Sequence, residues 1–273
     1  MNNQISFIGA GNMASSLING LLNDGFAPSS ICAADPAATA LKALAEKGVA
    51  TTTDNAQATA TAEIIVLAVK PQILGSVAQQ LPVKPSQLVV SIAAGVPLAS
   101  LQAWMTTSQP IVRCMPNTPA LLGAGITGLF ASDNVSEEQR DQAERLLSAV
   151  GKTLWVPAES QHDAVTAVSG SGPAYFFYVM EAMIKAGEAL GLDPTTAATL
   201  TVETAYGAAR MARESNQTPA ELRGNVTSPG GTTERALSIL DTADCQGIIN
   251  AALTGAAERS AELAKEFGVD DPA

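Results

Sequence analysis

Through residue 157 the chain alternates short apolar runs with amphipathic stretches, and beyond it the short apolar runs stop. "ISFIGA" (5–10), "ICAAD" (31–35), "EIIVLAV" (63–69), "QLVVSIA" (87–93), "PIVRCM" (110–115) and "ITGLFA" (126–131) read as strands. The third and fourth are almost unbroken apolar runs, as expected of parallel strands buried on both faces. Helical patterns fall between them at 12–23, 36–47, 72–80 and 97–105. A further one follows in "SEEQRDQAERLLSAV" (136–150), where Ser136 and Gln139 occupy capping-box positions. An alternation of this kind predicts a doubly wound, mostly parallel α/β sheet.

After "TLWVP" (153–157) the pattern is helical only. "AYFFYVMEAMIKAGEAL" (174–190) is apolar around most of its circumference, so it belongs either at the centre of its domain or in a subunit interface. Asp193-Pro194 and "TPAE" (218–221) each carry a cap with proline at the first helical position. "CQGIINAALTGAAERSAELAKEF" (245–267) reads as a long last helix. The expected division is an α/β domain over 1–157 and an all-helical domain over 158–273.

Composition supports two packed domains. Of 273 residues, 47% are hydrophobic and 15% charged, which is enough apolar material for sizeable cores. Net charge is −11, divided as −2 over 1–157 and −9 over 158–273. So acidic a chain repels nucleic acid and anionic membrane, and both are excluded as partners. No apolar run reaches the length of a membrane span. The N-terminus opens on an apolar strand, without the basic region and cleavage site of a secretory signal. Cys32, Cys114 and Cys245 are widely spaced with no CxxC, which predicts neither a disulfide framework nor a zinc site and fits a reducing, cytoplasmic compartment. His162 is the only histidine; a surface or helix-cap position is expected for it, with a Ser–His or Cys–His pair formally open.

The chemistry-bearing motifs sit where strands end. Gly9-Ala-Gly11-Asn-Met-Ala14 follows the first strand and opens a helix. Gly9 permits a tight turn, Gly11 lets a pyrophosphate reach the backbone, and Ala14 lets the helix pack on the strand. A lone GxGxxA is weak evidence, but its place at the head of an α/β alternation points to dinucleotide binding. Asp35, at the end of the second strand, either accepts from an adenosine ribose 2′-hydroxyl or caps the next helix. "AVKP" (68–71) and "SIAAG" (91–95) end the third and fourth strands and face the crevice. Lys70 there is either a general acid or a crevice lining. "CMPNTPALLGAG" (114–125), with Asn117, is either a rigid connector or a ligand contact. "SGSGPAY" (169–175) is either an anion cradle or a helix-start turn, and "SPGGTT" (228–233) carries more glycine and hydroxyl than a plain cap needs.

Taken in order, "GAGNMA", "AVKP", "SIAAGV", "MPNTPA", "SGSGPAY" and "SPGGTT" strongly resemble the pyrroline-5-carboxylate reductase family, over residues 5 to about 265. The last two motifs are the specific ones. The resemblance implies an N-terminal Rossmann-type domain and a C-terminal domain that binds substrate and interlocks with a second copy, larger rings of dimers also occurring in the family. It implies cofactor contacts at Ile8, Gly9, Ala10, Gly11, Asn12, Met13, Asn55, Ala68, Val69, Lys70, Pro71, Ile92, Ala93, Ala94 and Asn225. Asp35 and Asn117 are the further cofactor candidates. Glu159, Thr232 and Thr233 match substrate contacts; Thr166, Ser169, Ser171, Gly172, Ser228, Gly230 and Gly231 complete the expected substrate site. Family members that use NADPH tend to carry Ser, Thr or Arg near position 35, so Asp35 leaves NADH open beside NADPH.

The expected reaction is hydride transfer to the C=N carbon of 1-pyrroline-5-carboxylate, giving L-proline. Loops 169–172 and 228–233 would hold its carboxylate through N–H groups and hydroxyls, and Thr233 would hydrogen-bond the ring nitrogen. A protonated imine is already electrophilic, so neither a strong acid nor a metal is required. Two rivals remain at this level. Another dinucleotide reductase would share the first half, and a β-hydroxyacid type would want a helical lysine in the second half, where Lys185 stands alone. A nucleotide-sensing protein on the same fold would bind cofactor without turnover.

Overall fold

The computed structural model describes residues 4–105 and 108–268. Among the described residues there are eight strands: β1 (Ile5–Ile8), β2 (Ile31–Ala34), β3 (Ala50–Thr52), β4 (Ile64–Leu67), β5 (Leu88–Ser91), β6 (Ile111–Met115), β7 (Gly125–Ala131) and β8 (Gly151–Trp155). They form one sheet in the order β3-β2-β1-β4-β5-β6-β7-β8, with every neighbouring pair parallel except β6 with β7. The order reverses between β1 and β4, which makes the carboxyl ends of those two strands the topological switch point.

The helices are α1 (Asn12–Asn23), α2 (Ala38–Ala45), α3 (Asn55–Thr59), α4 (Pro71–Ala78), α5 (Leu98–Met105) and α6 (Glu137–Ser148), then α7 (His162–Val165), α8 (Gly172–Ala189), α9 (Pro194–Glu214), α10 (Pro219–Asn225), α11 (Thr232–Thr242) and α12 (Cys245–Phe267). Strand alternation splits the core in two. Ile5 and Phe7 of β1 join Leu17, Ile18 and Leu21 of α1 and Leu146 of α6 on one face. Ile8 joins Ile65, Leu67, Leu74 of α4 and Leu101 and Trp104 of α5 on the other. The doubly wound expectation is borne out. The expected caps also form: Ser136 with Gln139 on α6, Asp193 on α9, and Thr218 with Glu221 on α10. The short β3 and α3, and β8, were not among the expected elements. Among the described residues no helix is long and apolar enough to cross a membrane.

Two compact units result, one comprising residues 1–171 with 255–273 and the other residues 172–254. The division falls beyond the expected 157 because the segment after β8 packs on the sheet unit. There Glu159 pairs with Arg113 of β6, and Asp163 accepts a hydrogen bond from Ser260 of α12 at 2.7 Å. The second unit has little core of its own: within the single chain only Gly172, Ala197 and Thr201 are buried. The apolar α8 is therefore not the buried centre of its unit; Phe176, Phe177 and Tyr178 are exposed by 70%, 61% and 73%.

Candidate active site

The glycine turn after β1 is shaped from both sides. Gly9 has φ +100°, and a Cβ there would lie 2.8 Å from the Ala68 carbonyl carbon and oxygen at the end of β4. A side chain at Gly9 is thus excluded by the fold itself. Gly11 is different. It is the N-cap of α1 in ordinary extended geometry, and a Cβ added there would meet no protein atom within 4 Å. No side chain caps α1, and its first helical hydrogen bond runs from Ser15 N–H to Gly11 C=O. The N–H groups of Asn12, Met13 and Ala14 therefore have no intrahelical partner. An open, uncapped helix start beside a side-chain-free backbone fits a pyrophosphate.

Ala10 corrects one expectation. Its N–H donates to Asp35 Oδ2 at 2.9 Å and is not free for a phosphate. Asp35 Oδ1 accepts from Ala37 N–H at 2.8 Å. Since Ala37 is the N-cap of α2, Asp35 is not a helix cap but a tie between the β2–α2 turn and the glycine turn. Each of its oxygens keeps a second lone pair for a ribose hydroxyl. Ile8 is fully buried, so only its backbone is offered to a ligand. Lys70 is exposed at the N-cap of α4, Pro71 opens that helix, and Asn55 opens α3. Ile92, Ala93 and Ala94 leave β5 beside β4. Residues 8–13, 35, 68–71 and 92–94 all lie at the carboxyl ends of β1, β2, β4 and β5, one edge of one sheet.

Several other expectations are corrected. Asn117 is buried; its Oδ1 accepts from Ile126 N–H at 3.0 Å and its Nδ2 faces the Ser169 carbonyl at 3.3 Å, so its side chain is a bridge within the fold. "SGSGPAY" is not an open turn. Residues Thr166–Gly170 form a π-helical turn between α7 and α8, and Ser171 N–H is already bonded to Thr166 C=O. Thr166 Oγ1 donates to the His162 carbonyl. A π turn inserts one residue into a helix and is frequent at functional sites. Glu159 Oε1 accepts from both Arg113 Nη1 and Leu98 N–H, each at 2.7 Å.

In the loop before α11, Gly230 N–H donates to Glu234 and Gly231 N–H to the Ser228 carbonyl. The glycine N–H groups expected to hold a carboxylate are thus used within the loop. Gly231 is the N-cap, so neither Thr232 nor Thr233 caps the helix. The loop leaves open the first-turn N–H groups of Thr232 and Thr233 and their hydroxyls, which make no hydrogen bond among the described residues. Asn225, at the end of α10, donates to Gln217. Lys185 is ion-paired with Glu181 one turn earlier on an exposed face.

His162 is not at the surface; it is the C-cap of a short 3₁₀ turn over Glu159–Gln161. It is 1% exposed, packed edge-on to Phe130, and its Nε2 has no partner among the described residues. Burial first, and the Arg113 charge second, lower its pKa from 6.5 to about 4. Burial likewise pushes the Cys32 and Cys114 thiols up, so neither is a ready nucleophile at neutral pH. The His162 shift carries a prediction. The unfolded chain binds the extra proton first, so stability is intact above about pH 6.5 and falls as pH drops towards 4, by about 3 kcal/mol at most. Denaturant midpoints of wild type and His162→Gln across that range should converge at the acid end; parallel curves would contradict the assignment.

Fold and turn together define a Rossmann-type dinucleotide-binding protein. The pyrroline-5-carboxylate reductase of Pseudomonas aeruginosa is 53% identical over 268 residues, covering 97% of this chain and 98% of that protein. The chain belongs to the pyrroline-5-carboxylate reductase family. Its residues 159–263 match the family described as pyrroline-5-carboxylate reductase dimerisation, and residues 4–95 match "NADP oxidoreductase coenzyme F420-dependent". Among solved structures, the reductase of Coxiella burnetii superposes with TM-score 0.92 at 43% identity, covering 97% of this chain and 99% of that one. The Plasmodium falciparum reductase, solved with NADP bound, gives 0.85 at 29% identity, covering 96% and 98%.

Proposed function

We infer that the chain reduces the C=N bond of 1-pyrroline-5-carboxylate to give L-proline, the last step of proline biosynthesis, with NAD(P)H as donor. One observation carries the reading: identity to the Pseudomonas aeruginosa reductase runs over both halves, including the helical half that separates dinucleotide reductases from one another. NAD(P)H, when bound, supplies the hydride. The chain's residues bind and orient. The uncapped start of α1 and the Gly11 backbone receive the pyrophosphate, with Asp35 at the adenosine ribose. Asn55, residues 68–71 and residues 92–94 complete the cofactor set on the sheet unit. Ser228 and the first turn of α11 hold the substrate carboxylate, and the Thr233 hydroxyl meets the ring nitrogen. As the hydride adds to the imine carbon, the C=N π electrons become the lone pair of the ring nitrogen, which keeps its proton as the secondary amine of proline. Holding the reactants together in this way supplies most of the acceleration. Purified protein mixed with the imine should consume nicotinamide absorbance with either nucleotide. A nucleotide sensor would bind NAD(P)H and show no imine-dependent loss.

Asp35 favours a free 2′-hydroxyl and repels a 2′-phosphate. Asp35→Ser should raise the NADPH-to-NADH ratio of kcat/KM by about tenfold or more, since hydrogen bonds to charged groups contribute about 1.5–3 kcal/mol. Because it also frees the Ala10 N–H, NADH affinity itself should fall. An unchanged ratio would leave Asp35 a loop tie only.

The working form is an interlocked homodimer, with rings of dimers as the larger assembly, in the cytoplasm; three unpaired cysteines support the compartment. A unit with three buried residues and an exposed Phe-Phe-Tyr face is not a stable fold by itself, and a second copy is the natural cover. Light scattering should show no monomer at micromolar concentration. A stable, active monomer would defeat this assignment.

A further inference from the structure

The segment from Ile92 to Pro97 joins β5 to α5, and both of its ends lead to one ion pair. At the near end, Ser91 is the register partner of Arg113 on β6. At the far end, the N–H of Leu98, first residue of α5, donates to Glu159 Oε1 at 2.7 Å. That same oxygen takes Arg113 Nη1, also at 2.7 Å. The Arg113 side chain is 7% exposed and that of Glu159 29%, so the pair works largely out of water. Between the two ends, Leu263 of α12 lies against Gly95, 3.0 Å from where a Cβ would stand. A short segment fixed at both ends and pressed in the middle has little freedom. We propose that Glu159 is a positioning residue, which with Arg113 holds residues 92–97 in the shape that receives the nicotinamide end of the cofactor. The proposal rests on the reading of residues 92–94 as cofactor contacts.

The rival role is direct substrate contact through Oε2, which carries no hydrogen bond among the described residues. The two roles separate in the binary complex, where no imine is present. Nucleotide fluorescence titration should show the NAD(P)H Kd raised roughly tenfold in Glu159→Ala and within about threefold of wild type in Glu159→Gln, whose amide oxygen still accepts from Leu98. Leu98→Pro deletes the N–H at a first helical position that tolerates proline, and Leu98→Ala is its control for lost packing. Leu98→Pro should bind the nucleotide roughly tenfold more weakly than Leu98→Ala. That comparison stands even if Glu159→Ala fails to fold. A binary Kd unchanged in Glu159→Ala, with only the KM for the imine raised, would make Glu159 a substrate ligand and overturn the proposal. Equal Kd in the two Leu98 variants, or a lower Tm with normal Kd, would overturn it too. Wild type failing to bind any nicotinamide nucleotide would be a different result, and would count against the proposed function instead.

Discussion

A Gly11→Val chain should fold much as the wild type does and fail to hold NAD(P)H. The space a Cβ would take at Gly11 is empty of protein, so the fold has no use for a glycine there. Valine is a poorer N-cap than glycine, which costs about 1 kcal/mol or less. The loss instead falls on a ligand that must approach the backbone, and a hundredfold or greater rise in nucleotide Kd is expected, roughly the penalty for displacing a bound group by an ångström. Gly9→Ala should do the reverse. At φ +100° with the Ala68 carbonyl 2.8 Å away, it should destabilise the chain by about 1–3 kcal/mol before any ligand is added. Thermal melts and nucleotide titration on the two variants check both halves. A Gly11→Val protein with normal affinity would remove the pyrophosphate from the start of α1.

Thr233→Ala should lower kcat/KM for the imine by roughly tenfold to a few hundredfold, the range of a hydrogen bond to a charged nitrogen. Stability should move by less than about 0.5 kcal/mol. The reason lies in the loop: Gly231 is the N-cap, Gly230 N–H is satisfied by Glu234, and no part of the α11 cap depends on the Thr233 hydroxyl. Binary nucleotide affinity should stay within about twofold. Melting temperature, nucleotide titration and turnover on one preparation separate the roles. A lower Tm with normal kcat/KM would make Thr233 structural.

The strand–helix alternation and the caps were legible because each is a local pattern. Gly9, Gly11 and Ala14 could be read because the turn, the backbone approach and the helix packing each demand a residue type at a fixed spacing. What escaped was tertiary. β3 is three residues long and not fully buried, so no apolar run announces it, and β8 alternates at a sheet edge. His162 reads as polar and so as surface, yet it lies under Phe130. The π turn at Thr166–Gly170 depends on a one-residue slip in helical register that no composition marks. Most telling are the hydrogen-bond destinations. Glu159 meets Leu98 across 61 positions of chain and Ala10 meets Asp35 across 25, separations no local motif records. The Gly230 and Gly231 N–H groups are a local case: they read as ligand donors, yet Glu234 and the Ser228 carbonyl of the same loop and helix start take them.

The central claim, hydride transfer from the nicotinamide to the imine carbon, is tested most directly by isotope. The purified enzyme should be given 1-pyrroline-5-carboxylate with NADH or NADPH deuterated at the transferring position of the nicotinamide. The account predicts L-proline heavier by one mass unit, with deuterium on the ring carbon that was part of the C=N bond. Nucleotide oxidised and proline formed should match one for one. Proline formed without deuterium, or nucleotide bound and never oxidised in the presence of the imine, would contradict it.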